Sequence, residues 1–213
     1  MKFDLVIFDL DGVLVDSTEA ITNTFNQVLI KAAGISVSDK NIIKMIGMPL
    51  DQMFERYLPN SMKGEARNCS RMYRQIYGKT CVQGTKVYDG VIDVLEYLKS
   101  SKLAVATTKY SNEAEILLKG MAIRKYFKFV LGADDVRKPK PNPEVIDKIL
   151  DLAGVSRSKA AIVGDTAYDI LAGKSAGITT IAATYGFQNK DVLAAAKPDF
   201  LIDSLPDLKS IVR

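Results

Sequence analysis

The chain has no histidine among its 213 residues. That absence removes Ser-His-Asp triads, Cys-His dyads, histidine phosphatases and His-ligated zinc sites. Any proton transfer must fall to Asp, Glu, Lys, Tyr or Cys. Cysteine is scarce too: Cys69 and Cys81 are too few for a thiolate metal centre and suit a reducing cytosol. No apolar run nears the ~18 residues of a spanning helix. The first apolar run stops at Asp9, too early for an export signal. A cytoplasmic protein without a membrane partner is expected. Lys and Arg exceed Asp and Glu by 29 to 25, yet no basic tail or arginine block is present. No nucleic-acid partner is expected, and the scattered excess fits a solvated surface or a small anionic substrate.

The composition is otherwise ordinary for a globular protein, 47% hydrophobic and 25% charged, at a length suited to one domain carrying a smaller insert. Leu5-Val6-Ile7-Phe8 is an unbroken apolar run, the mark of a strand buried on both faces of a parallel sheet. Similar runs occupy 103–106, 129–131, 160–163, 178–182 and 200–202. Amphipathic stretches separate most of them, as in Val91, Val94, Leu95 and Leu98, or Val145, Ile146, Ile149, Leu150 and Ala153. This alternation predicts an α/β fold with a doubly wound parallel sheet. Asn142, Pro143 and Glu144 read as a helix start, Asp89 as a cap for a helix from Val91, and Gly154 and Gly177 as helix stops.

Between 16 and 84 only helical patterns occur: one stripe through Ile21, Phe25, Val28, Leu29 and Ala32, then helices over 38–46, 50–58 and 62–77. The reading is an α/β core of 1–15 and 85–213 with a helical insert, 16–84, placed directly after the first strand.

Asp9 and Asp11 alternate just past the end of that strand, where open α/β sheets place ligands. Asp165 ends the run 160–163 in the same way, and Asp169 follows one helical turn later on the same face. Thr107 ends a third run, and a lysine lies in Lys138-Pro139-Lys140-Pro141-Asn142-Pro143-Glu144. In a parallel sheet these ends face one crevice. Several carboxylates, a hydroxyl and an ammonium meeting there match a hard divalent cation and a phosphoryl group.

The segment Asp9-Leu10-Asp11-Gly12-Val13-Leu14-Val15-Asp16-Ser17, with Thr107, Lys140 and Gly164-Asp165-Thr166 plus Asp169, strongly resembles the four motifs of the haloacid dehalogenase-like superfamily, in order and over essentially the whole chain. The helical insert resembles that family's small cap, in the phosphoglycolate phosphatase-like and β-phosphoglucomutase-like branch. The resemblance implies a phosphatase acting through an aspartyl phosphate. Asp9 would be nucleophile and Asp11 general acid and base. Mg²⁺ would be held by Asp9, Asp165 and the backbone carbonyl of Asp11. Gly12, Thr107, Thr108 and Lys140 would contact substrate, and Asp169 would orient Lys140 or a metal-bound water. A carboxylate nearing a phosphate meets about 4 kcal/mol of repulsion per charge pair at 4 Å and an effective dielectric of 20, which Mg²⁺ and Lys140 would offset.

Only Lys140 has an acid, Glu144, four residues on at a helix start, which favours it over Lys138 as the family lysine. Asp11 argues against a dehalogenase, and the missing histidine favours a phosphatase over a mutase. The substrate expected is a small phosphorylated metabolite, phosphoglycolate first. A sugar phosphomutase, a pyrophosphatase and an inactive phospho-ligand-binding regulatory module stay open, as does monomer against homodimer. Gly78-Lys79-Thr80 and Gly173-Lys174-Ser175 mimic a P-loop but have Tyr73 and Tyr168 where its first glycine belongs. On the fourth insert helix, Met62, Ala66, Cys69, Tyr73 and Ile76 form one stripe. Lys63, Arg67, Arg71 and Arg74 form another, and Arg71 and Arg74 are candidate contacts for an anionic substrate.

Overall fold

The computed structural model describes residues 3–212; the outermost positions of the expected core segments, 1, 2 and 213, lie outside it. In chain order come β1 (Leu5–Phe8), β2 (Val15–Asp16), α1 (Thr18–Ala33), α2 (Asp39–Ile43), α3 (Leu50–Tyr57), α4 (Ala66–Thr80) and β3 (Lys86–Val87). Then come α5 (Val91–Tyr97), β4 (Lys102–Ala106), α6 (Ser111–Gly120), β5 (Phe129–Leu131), α7 (Glu144–Ala153) and β6 (Ala160–Gly164). The chain closes with α8 (Ala167–Ala176), β7 (Thr179–Ala183), α9 (Lys190–Ala195), β8 (Phe200–Ile202) and α10 (Leu208–Ile211).

Two compact units result, one running to Asp16 and resuming at Val87, the other Ser17–Lys86. The crossings fall one residue later on the way out, and two later on the way back, than 15 and 84. The residues at the crossings are β2 and β3, which pair with each other as a two-stranded sheet.

In the first unit six parallel strands lie in the order β5-β4-β1-β6-β7-β8. The chain winds outward from β1 through β4 and β5, then crosses back to build β6, β7 and β8 on the other side. The switch point therefore lies at β1, and the crevice there opens past the carboxyl ends of β4, β1 and β6. All four β1 residues are fully buried. Leu5 and Ile7 join Val145, Ile146, Ile149 and Ala172 in one core layer, which places α7 and α8 on that face. Val6 and Phe8 point to the other face by strand alternation, where Phe8 meets Phe127 edge to face at 6.2 Å. Each such fully buried side chain contributes about 1.5–3 kcal/mol, so β1 is a firm base for the acids just past its end.

In the second unit Phe25 of α1 stacks on Phe54 of α3 at 4.4 Å, Phe54 meets Tyr73 of α4 edge to face, and Tyr73 stacks on Tyr77 at 5.2 Å. Asn26 exchanges hydrogen bonds of 2.8 Å with the backbone of Val37 and clips the turn after α1.

Several local expectations are corrected. The helix read from 62 begins at Ala66, because Asn60–Glu65, after Pro59, forms a tighter 3₁₀ stretch. Its buried stripe runs Ala66, Cys69, Ser70, Tyr73 and Tyr77 rather than through Met62 and Ile76. The helix read to 46 ends at Ile43, where the backbone tightens into i→i+3 bonds such as Ile46 N to Ile43 O. Asp89 does not cap α5; Gly90, with φ +79°, holds that position. The run read as 178–182 is strand over Thr179–Ala183, since Ile178 N bonds back to Gly173 O and completes the stop of α8.

Candidate active site

Asp9, Thr107 and Asp165 each directly follow the last residue of neighbouring strands β1, β4 and β6. Register aligns them: Phe8 pairs with Val105 and with Val163, and Asp9 N donates to Val163 O at 2.9 Å. All three are buried, Asp165 completely. Asp169, one turn into α8, joins them, and carboxylate oxygens of Asp9, Asp165 and Asp169 lie within 4.8 Å of one another.

One ammonium enters this cluster. The loop before α7 is stitched by Glu144, which accepts from the N–H groups of Arg137 (2.9 Å) and Lys138 (3.0 Å), while Asn142 Oδ1 accepts from Glu144 N. That stitching leaves Lys138 exposed and sends Lys140 inward, 3% exposed. Lys140 Nζ donates to Ala106 O at 2.8 Å and Asp169 Oδ1 at 2.5 Å. It also stands 3.1 Å from Asp9 Oδ1, an ion pair by distance whose angles fall short of a hydrogen bond. The other oxygen of Asp169 accepts from Thr166 N and Oγ1, closing a capping box at the start of α8.

Asp165 is held from a different side. Its Oδ2 accepts from Phe187 N at 2.7 Å, a donor in the loop after β7. Gly186 lets that loop approach: a Cβ there would stand 2.3 Å from Asp165 Cβ and 2.6 Å from Gly12 O. Gly12 has φ +78°, and a Cβ on it would meet Asp165 Oδ2 at 2.1 Å, so both space and backbone require glycine. Tyr185 Oη donates to Val13 O at 3.0 Å and steadies the turn after Asp11.

The charges do not balance within the cluster. Burial, first of all, raises the Asp9 carboxyl to about 7; Lys140 opposes this, and Asp169 and Asp11 add to it. Burial and the Asp9 and Asp169 charges likewise push Asp165 well above the carboxylate range. Burial works against the Lys140 ammonium, but Asp169 and Asp9 outweigh it and keep Lys140 protonated. Three buried carboxylates face one buried ammonium, and Asp165 Oδ1 is buried without a hydrogen-bond partner. An all-oxygen donor set with excess negative charge fits a hard divalent cation.

Asp11 takes a partner that sequence reasoning missed. Lys109 Nζ lies 3.2 Å from Asp11 Oδ2, both side chains about nine-tenths buried. Position alone was the available signal, since Lys109 sits two residues past Thr107 in the same loop. Thr108 is half-buried between them. Phe187 and Gly186 were also missed, because a backbone donor leaves no mark in residue type. Arg71 and Arg74 lie on α4 of the helical unit, Arg71 exposed and Arg74 half-exposed.

The switch-point crevice is thus lined with carboxylates, with the ammonium groups of Lys140 and Lys109 set among them. The haloacid dehalogenase-like hydrolase family matches residues 6–183, and the chain belongs to that family. Over 100% of its length and 98% of the relative's, it is 32% identical to pyrophosphatase PpaX of Halalkalibacterium halodurans. It is 31% identical to phosphoglycolate phosphatase 1 of Pseudomonas aeruginosa, across 96% of this chain and 78% of that one. The fold superposes on a haloacid dehalogenase-like family hydrolase from Streptococcus pneumoniae with a TM-score of 0.90, at 27% identity and 99% coverage of both chains. Among the described residues no helix is long and apolar enough to cross a membrane.

Proposed function

We propose that this hydrolase is a Mg²⁺-dependent phosphatase that cleaves a small phosphorylated metabolite through an aspartyl phosphate on Asp9. The observation carrying this reading is the convergence of Asp9, Asp165 and Asp169 on Lys140 at the switch point, with Asp11 two residues beyond Asp9. Asp9 and Asp165, with the backbone carbonyl of Asp11, would hold Mg²⁺, which when bound supplies charge neutralisation for the phosphoryl oxygens.

An Asp9 carboxylate oxygen attacks phosphorus while the bond to the leaving oxygen breaks, and Asp11 gives that oxygen its proton. Asp11 then takes a proton from water, whose oxygen attacks the same phosphorus, releasing inorganic phosphate and restoring the Asp9 carboxylate. Lys140 stays protonated and offsets the repulsion between the Asp9 carboxylate and the incoming phosphate. The Thr107 hydroxyl accepts from Lys109 N at 3.2 Å, which leaves its own proton to donate to a phosphoryl oxygen. Asp169 anchors Lys140 and takes no part in bond making.

For substrate we propose a compact phosphate bearing a second anionic group. Residues 16–84 carry nine basic and six acidic side chains, most of the chain's net charge of +4, and such a field favours anions. Relatives named as a pyrophosphatase and a phosphoglycolate phosphatase point to two substrates of that kind. The absence of histidine supports water rather than a sugar as acceptor. The test is phosphate release from phosphoglycolate, pyrophosphate and a hexose 1-phosphate with Mg²⁺ or with chelator, together with acid-quenched trapping of protein-bound phosphate. Mg²⁺-dependent release with a phosphoprotein absent from Asp9→Asn supports the reading; no release from any of them overturns it.

A further inference from the structure

We propose that Lys109 is a positioning residue for Asp11, holding its carboxyl in line for proton transfer to the leaving oxygen. This role rests on the phosphatase reading and adds to it a residue that lies outside the family's four motifs.

The geometry is that of a built support. The Lys109 backbone is pinned at both ends: its N–H donates to Thr107 Oγ1 at 3.2 Å, and its carbonyl accepts from Ala133 N at 2.8 Å. The same loop lies so close to Gly132 that a Cβ there would stand 2.3 Å from Ser111 N and 2.5 Å from Lys109 O. Ser111 then bonds Asp134 through its N–H (2.7 Å) and its hydroxyl (3.0 Å). With its backbone held this way, the Lys109 side chain reaches Asp11 Oδ2 at 3.2 Å in a pair that is about nine-tenths buried.

Two ammonium groups thus divide the site's carboxylates. Lys140 serves Asp9 and Asp169, and Lys109 serves Asp11. Asp11 lies in the turn before Gly12, and the charge-assisted contact from the pinned Lys109 loop constrains its carboxyl. Because the Lys109 backbone meets Thr107 while its side chain meets Asp11, truncating the side chain removes the second contact and leaves the backbone contact in place.

Leaving-group dependence tests this. The nitrophenolate of p-nitrophenyl phosphate departs without a proton, whereas the alkoxide of a simple alkyl phosphate requires one. With Mg²⁺ present, Lys109→Met is expected to lower kcat about 100-fold on the alkyl ester and only a few-fold on the aryl ester, within the usual contribution of general acid catalysis. Lys109→Arg should recover much of the alkyl activity. In an Asp11→Asn background, adding Lys109→Met should change neither ester further. Thermal melts accompany each variant, and if Lys109→Met does not fold, Lys109→Gln carries the same expectations. Equal losses on both esters, or additive losses with Asp11→Asn, overturn the inference while wild-type activity keeps the phosphatase reading standing. Wild-type protein inactive on both esters overturns the two together.

Discussion

Lys140 joins Asp169 to Asp9 through one ammonium, 2.5 Å from the first carboxylate and 3.1 Å from the second. The two acids come from elements far apart in the chain, the end of β1 and α8, and the lysine from a third segment. Removing the ammonium leaves Asp9, Asp165 and Asp169 facing one another without compensation.

Lys140→Ala is therefore expected to destabilise the fold by about 3–5 kcal/mol, the usual penalty for breaking a buried charge set, and to lower kcat/KM far more than Lys138→Ala does. Lys138→Ala, at an exposed position, should stay within about 0.5 kcal/mol. Steady-state kinetics on both variants decide, and the reverse ranking would assign the role to the other lysine.

Asp9→Asn should abolish turnover and leave the fold intact, because the amide matches the carboxylate in shape but is a poor nucleophile. Its melting temperature without metal should equal or exceed that of the parent at pH 8, since burial already penalises the Asp9 charge. Appreciable steady-state activity in pure Asp9→Asn protein contradicts the covalent route.

Asp9 ionises near 3.8 when unfolded and about 7 when folded. Its neutral form is favoured by the metal-free fold, so its contribution to stability is fully present below about pH 4 and is lost as pH rises through 7. A divalent cation held by the ionised carboxylates offsets that loss. Mg²⁺ should accordingly raise the melting temperature more at pH 8 than at pH 5.5, against chelator controls. Equal shifts at the two pH values would place the cation elsewhere.

Gly186→Ala forces a methyl to 2.3 Å from Asp165 Cβ and 2.6 Å from Gly12 O. Overpacking of this kind costs about 1–3 kcal/mol and displaces the Phe187 N–H that orients Asp165. The expected result is a lower melting temperature with a weaker apparent affinity for Mg²⁺ in titrations of activity. Unchanged Mg²⁺ dependence would separate this loop from metal binding.

Arg71→Ala and Arg74→Ala test the basic stripe of α4. If it meets anionic substrate, KM for phosphoglycolate or pyrophosphate rises more than kcat falls, because the contact precedes the transition state. Unchanged kcat/KM for every acidic substrate marks the stripe as solvated surface.

The residue pattern alone determined much of this protein. An apolar run buried on both faces, repeated between amphipathic stretches, fixes a parallel sheet, and parallel strands put Asp9, Thr107 and Asp165 at one edge. Spacing placed Asp169 one turn after Asp165, while the choice of Lys140 over Lys138 came from the family resemblance, through the position of Glu144. Tertiary structure alone decided which lysine meets Asp11, that Phe187 N–H holds Asp165, and that Gly12 and Gly186 must lack a Cβ. It also moved the start of α4 to Ala66 and brought Tyr77 into the buried stripe. The division has a physical cause: periodicity reports which face of an element is buried and where a strand ends. Contacts between loops depend on distances across the sheet, which local residue types do not encode.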